Sequence, residues 1–363
     1  MKDQKKYNWW RWLILAAGIG AFGFMLHDTD ADSTATLFYD KGPLLLLALV
    51  PYTVQIALDT LSWRVLLGGL ETRPSRWRLF NIRLSTEAVL MSVPAGGIVG
   101  EGLKPYLLAK TDNIPASKTI ASIGIKKCLL VYAEAFYLGT ALILGWSFYV
   151  AHSNEVIGTA GLPWLVIGAI VFLLVLASVL SLAFIAGGVG DKAHRLLMRV
   201  PIKAIRNFIA DKRSPFEDTD TSFQELASAK RRRWLGAWAL LLLAWFAEAG
   251  ETYVLLRLVG VDLPVHEVLA MEACAVFLRN LAFFMPAGLG VQDAGYLAFL
   301  SAFGVTIGVA GAAFIILKRT KELVWVAIGY VILMFLERTK KLAPLAELTE
   351  PVPPLGAEDG ITA

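Results

Sequence analysis

Long apolar runs alternate with short polar ones along most of the chain. Runs long enough to cross a ~30 Å hydrocarbon core as helix fall near residues 10–26, 42–62, 120–149, 163–187, 234–257 and 305–336. Two further runs, near 84–108 and 266–303, are broken in the middle by SVPAGGIVGEGLK and FMPAGLGVQD. Proline and glycine at Pro94, Gly96, Gly97 and Gly100, and again at Pro286, Gly288 and Gly290, end one half-helix and let the backbone reverse. A bilayer tolerates such a reversal only where the freed polar groups face protein or water. The pattern predicts an all-α, polytopic integral membrane protein with about six full spans and two re-entrant or broken helix hairpins. Kinked helices packed through small residues are the alternative reading of the broken windows.

Composition agrees: 56% of the residues are hydrophobic and 18% charged, outside the range of soluble domains. Charge distribution sets an expected orientation. Lys2, Lys5, Lys6 and Arg11 precede the first run and Asp28, Asp30, Asp32 and Asp40 follow it. Arg64, Arg73, Arg76, Arg78 and Arg83 follow the second run, and bases recur between Asp191 and Arg233 and at Arg338, Lys340 and Lys341. Both termini are therefore expected in the cytoplasm, and the first run is read as a retained span rather than a cleaved leader. Residues 190–233 read as a basic amphipathic segment, with Lys192, Arg195, Arg199, Lys203 and Arg206 at steps of three or four. An interfacial helix drawn to anionic lipid and a solvated basic stripe both fit it. Residues 342–363 are expected to be disordered.

At an offset of 192 the chain repeats itself: Pro94-Ala95-Gly96 falls on Pro286-Ala287-Gly288, Glu101 on Asp293, and Lys126-Lys127 on Lys318-Arg319. Counting spans, the first broken window enters and returns on the inside and the second on the outside. Repeat 1 (about 80–150) and repeat 2 (about 266–340) are thus read as inverted copies, an architecture of secondary transporters.

Ionisable residues inside a span cost roughly 2.5–3.5 kcal/mol each on insertion scales, so their presence marks a site. Lys318, Arg319, Lys321 and Glu322 lie deep in the last run. Lys318 and Glu322 are spaced to neutralise each other on one helical face, leaving Arg319 and Lys321 without a local partner. Lys126 and Lys127 lie nearer a span end and could snorkel. Glu134, Glu248, Glu251 and Arg279 are further interior candidates, and Glu101 has Lys104 three residues on, where Asp293 has Tyr296. The expected substrate-binding set is Glu101, Lys104, Lys126, Lys127, Asp293, Lys318, Arg319 and Glu322, with the bases holding a phosphate-bearing or otherwise polar headgroup. Cys128, Cys274 and the four histidines show no ligand spacing, and no catalytic residue, metal or cofactor is assigned.

With these residues in place, the chain resembles the flippase-like membrane domain of lysylphosphatidylglycerol synthases and of stand-alone relatives, over roughly residues 10–340. The resemblance rests on Gly100-Glu101 followed by Lys104, and on Pro-x-Gly-Leu-Gly-Val-x-acid from Pro286 to Asp293. It implies a flippase-like transmembrane domain over residues 1–341 that moves lipids between leaflets. Lys104 and Asp293 stand where the family usually has Arg and Glu, and Lys126-Lys127 where it often has Glu-Arg, so the substrate does not carry over. The aminoacyl-transferase domain of the full synthases has no counterpart among these residues.

The leading expectation is a lipid translocase of the cytoplasmic membrane, not an enzyme. Its expected partners are membrane lipids with an anionic, polyprenyl or glycolipid headgroup and a lipid-synthesis enzyme, without nucleic acid. An integral-membrane enzyme acting on a lipid-linked substrate and an accessory scaffold for a synthase are the alternatives.

Overall fold

The computed structural model describes residues 31–92, 96–199, 213–282 and 285–338. The expected first span at 10–26, the C-terminal tail, Pro94, Lys203 and Arg206 lie outside the described residues.

Every regular element among the described residues is helical. The chain runs through α1 (Ala31–Lys41), α2 (Leu49–Leu67), α3 (Arg76–Ser92), α4 (Gly96–Asp112) and α5 (Ala116–Leu144). Two short helices, α6 (Trp146–Ala151) and α7 (Ser153–Ile157), lead to α8 (Leu162–Ala186), α9 (Val189–Met198) and α10 (Arg213–Ala227). The second half comprises α11 (Arg231–Leu258), α12 (Val265–Leu281), α13 (Val291–Ala302) and α14 (Ala312–Arg338). Four stretches, Tyr39–Leu70, Ala116–Leu144, Leu162–Ala186 and Arg231–Leu258, are long and apolar enough to cross a membrane. The protein is therefore a multi-pass, all-α membrane protein. α14 is 27 residues long, about 40 Å at 1.5 Å per residue, but its central charges set it apart from those four. It starts at Ala312 rather than near 305, because Gly304 turns at φ 73° and a π-helical turn spans Ile307–Gly311.

Each broken window becomes a pair of short helices. α3 and α4 have 17 residues each, and α12 and α13 have 17 and 12; 17 residues reach about 25 Å, short of a full crossing. The first pair closes back on itself: a Cβ on Gly96 would meet the Leu90 carbonyl oxygen at 2.3 Å, and one on Gly100 the Thr86 oxygen at 2.7 Å. The same test at Gly97 finds open space, so that residue has no steric need to be glycine. The second pair reverses through Ala287, Gly288 and Gly290, at φ 50°, 63° and 85°. Pro105, inside α4, has no N–H to give the Glu101 carbonyl one turn back.

Both halves read long helix, short pair, long helix: α2, α3–α4, α5 and α11, α12–α13, α14. They are inverted with respect to each other. α2 and α11 lie side by side and antiparallel, since Gln55 bonds Glu248 at 2.8 Å and the Ser62 hydroxyl bonds the Ala237 carbonyl at 2.9 Å. Around that pair the halves interlock reciprocally. α14 packs on α3, where Gly329 sits against Ala88 and Leu84, and α5 packs on α12, where Gly145 sits against Ala270. Apolar clusters around Leu66, Ala133 and Leu241 and around Tyr149, Leu255 and Phe314 fill the space between.

The linking segment is divided in charge. α9 carries Lys192 and Arg195, with Arg195 held by Asp191 at 2.9 Å, and Arg199 follows its end. α10, by contrast, carries Glu217, Asp218, Asp220 and Glu225 and lies on α5. Residues 190–233 are not basic throughout.

Candidate functional site

Two buried polar networks, one per half, meet along α2 and α11. In the first, Asp59 of α2 accepts from Lys126 of α5 at 2.6 Å and from Arg83 of α3 at 2.7 Å, and Arg83 also pairs with Glu87. Glu101 of α4 takes Lys104 on one oxygen at 2.6 Å and Lys127 on the other at 2.7 Å. The Trp63 ring lies 5.6 Å from the Lys104 ammonium and 5.9 Å from that of Lys126, cation–π contacts that offset part of their desolvation.

In the second network Glu251 of α11 pairs with Lys321 and, at 3.5 Å, with Lys318 of α14. Lys318 lies 3.9 Å from Glu272 of α12. Thr252 donates to that carboxylate at 2.5 Å and Tyr296 at 2.8 Å. Arg319 forks onto Asp293 of α13 through Nε at 3.0 Å and Nη2 at 2.8 Å, and its Nη1 reaches Glu322 at 2.6 Å. The same Nη1 reaches the Ala287 carbonyl in the turn at 3.3 Å. The other Asp293 oxygen accepts the Gly290 N–H at 2.9 Å, tying the start of α13. Glu248 holds Arg279 at 2.6 Å. The Tyr52 ring joins the halves, meeting Trp325 of α14 in a tilted contact at 5.6 Å between centroids, with the Lys321 ammonium 4.5 Å away.

The networks are copies of each other. At the offset that carries Pro94 onto Pro286, Asp59 falls on Glu251 and Lys126 on Lys318, and both pairs are ion-paired. Glu101 falls on Asp293 and Lys127 on Arg319, and both of these are ion-paired too. Their environments differ. The Lys127 side chain is 48% exposed and Glu101 19%, whereas Arg319 is 9% and Asp293 1% exposed. The hairpin bridge is open in the first half and sealed in the second.

All eight residues of the expected substrate-binding set lie in these networks, but several partners differ from the sequence reading. Glu322 pairs with Arg319 rather than Lys318, and Arg319 and Lys321 each have an acid. Lys126 does not snorkel; it is buried on Asp59, and only Lys127 reaches out. Arg83 is an interior residue of α3 rather than a loop charge. Sequence reasoning missed Asp59, Glu87 and Glu272. Asp59 was findable as the acid in an otherwise apolar span and as the partner of Glu251 under the offset.

Beside the second hairpin a groove of about 740 Å³ is lined by Leu138, Phe277, Leu281, Met285, Leu289 and Ala294. Its wall is almost wholly apolar, suited to hydrocarbon. In the sealed network, Oε2 of Glu251 and Oε1 of Gln292 have no hydrogen-bond partner. Among the described residues, no group of histidine, cysteine and acidic side chains could hold a metal ion.

A comparison with curated proteins finds no match. Residues 9–335, nearly the whole chain, match the family described as the lysylphosphatidylglycerol synthase TM region, and the chain belongs to that family.

Proposed function

We propose that this protein moves a lipid headgroup between leaflets through the polar interior between its two inverted halves, while the acyl chains stay in hydrocarbon. The observation that carries this reading is the duplicated bridge at the hairpins, open at Glu101–Lys127 and sealed at Asp293–Arg319. Two copies of one bridge in opposite states of exposure are what alternate exposure of a central site requires. Membership of a family of lipid-metabolism membrane proteins is consistent with it.

In this reading both helix pairs are re-entrant and both termini are cytoplasmic, in the cytoplasmic membrane. An anionic or phosphate-bearing headgroup enters at the open bridge, where its oxygens replace the Glu101 carboxylate on Lys104 and Lys127. Exchange of one anion for another keeps the buried cations neutralised throughout, which avoids the several kcal/mol of an unpaired charge. The apolar groove at the second hairpin takes an acyl chain. No covalent chemistry is assigned, and a lipid-synthesis enzyme is the expected supplier of cargo.

Lipid mass spectrometry of the purified protein tests the site, comparing wild type with a Lys104→Ala, Lys127→Ala variant of verified folding. Enrichment of one phosphate-bearing lipid class that the variant loses supports the reading. Equal lipid profiles in the two proteins refute the first hairpin as the headgroup site.

A further inference from the structure

Glu134 of α5 stands apart from the acids of both networks. It lies in the middle of α5 and is 3% exposed, and its hydrogen-bond donor is Asn280 Nδ2 at 2.7 Å. The acids of the second network each have a cation: Glu248 has Arg279, Glu251 has Lys321, Glu272 has Lys318, and Asp293 and Glu322 share Arg319. No cation among the described residues lies within ion-pair distance of Glu134. Asn280 brings the Arg279–Glu248 pair of α12 and α11 alongside it, and those two are committed to each other. From the other packed elements, α8 offers no ionisable side chain. Asp59 of α2 is engaged by Lys126, and Glu101 and Lys104 of α4 sit with Lys127 toward the start of α5. The acids of α10 pack lower still, where Phe223 meets Gly124. Burying an ionised carboxylate without a cation costs far more than burying a neutral one.

We propose that Glu134 is a proton-binding site, occupied at rest, whose release of the proton is felt at the turn of the second hairpin through Arg279. The link is geometric. Arg279 and Asn280 are adjacent in the last turn of α12, so the donor to Glu134 and the cation of Glu248 move together. Gly288 of the turn rests on the Arg279 stem, with room for no side chain: an added Cβ would lie 2.8 Å from Cγ. On release, the O–H bond of Glu134 breaks, the proton passes to water as hydronium, and two carboxylates then compete for one guanidinium. Any swing of Arg279 from Glu248 toward Glu134 displaces the residue on which the turn sits. Uptake reverses both steps. A role for this proton in driving transport rests on the translocation reading above; protonation itself and its link to the turn do not.

The test therefore uses no lipid transport. Infrared spectra of wild type and Glu134→Gln in lipid nanodiscs at neutral pH should differ by loss of one protonated-carboxyl absorption. Hydrogen–deuterium exchange, corrected for the intrinsic effect of pH, should speed up several-fold at residues 286–290 of the wild type as pH rises through that titration. It should stay flat in Glu134→Gln. If that variant does not fold, carbodiimide labelling of the wild type, mapped by mass spectrometry, should find Glu134 modified and the modification lost at high pH. An ionised Glu134 at neutral pH, or an unlabelled one, overturns the site, and the same pH response at the turn in both proteins overturns the link. Failure here leaves the translocation reading standing, and its failure leaves the proton site standing.

Discussion

One bridge built twice in different surroundings gives a sharp energetic contrast. Arg319→Ala removes three contacts to carboxylates: two onto Asp293, at 3.0 and 2.8 Å, and one onto Glu322, at 2.6 Å. It strands Asp293, 1% exposed, with the Gly290 N–H as its remaining donor. Breaking a buried pair from one side costs about 3–5 kcal/mol, because the surviving charge is left uncompensated. Lys127→Ala removes the equivalent base from Glu101, but water reaches the 48% exposed Lys127 side chain and Lys104 still holds the carboxylate. The expected cost is about 0–1 kcal/mol. Equilibrium unfolding of the two variants in mixed micelles, read by tryptophan fluorescence, measures both. Arg319→Lys should recover part of the loss, since one ammonium cannot reproduce a planar fork on two acids. Equal destabilisation by Arg319→Ala and Lys127→Ala, or a loss below about 1 kcal/mol for Arg319→Ala, would refute the assignment of a sealed and an open half.

Other expectations follow from the same contacts. Lys318→Met should cost about 3–5 kcal/mol by leaving Glu272 on hydroxyl donors alone. Adding Glu272→Gln should return a substantial part, because Thr252 and Tyr296 can still donate to the amide oxygen; a double-mutant cycle reads the coupling. Gly97→Ala should be silent in thermal unfolding, whereas Gly96→Ala and Gly100→Ala should each lower stability by about 1–3 kcal/mol through collision with the Leu90 and Thr86 carbonyls. Gly329→Ala should separate α14 from α3, since its Cβ would sit 2.6 Å from that of Ala88. Lower resistance to limited proteolysis at the α14 end would register the separation.

The parts of this architecture that rest on local chemistry were legible in the sequence. Pro286, Gly288 and Gly290 announce a reversal because few other residues fit there, and the long apolar runs announce spans by length alone. The repeat was legible through Pro-Ala-Gly, an acid and a double base. Its extension to Asp59 and Glu251 passed unnoticed because a lone acid in an apolar run carries no motif. The partners were not legible at all. Asp59 meets Lys126, and Glu251 meets Lys321, only because α2 lies across α5 and α11 across α14, an outcome of how the halves interlock. Spacing within one helix favoured Lys318 with Glu322, while tertiary packing gave Glu322 to Arg319. Arg83 read as a loop charge because the span before it had ended and the broken window after it had not begun. The start of α14 was displaced by Gly304 and a π-helical turn that apolar periodicity does not register.

The measurement that tests the central claim most directly is transfer of a fluorescent phosphatidylglycerol between leaflets of proteoliposomes. It should compare wild type, Arg319→Ala and Lys104→Ala, Lys127→Ala, all of verified folding. The account predicts transfer well above the protein-free rate for the wild type and a return to that rate in both variants. Wild-type transfer no faster than in empty vesicles, across anionic, zwitterionic and glycosylated lipid probes, would contradict it.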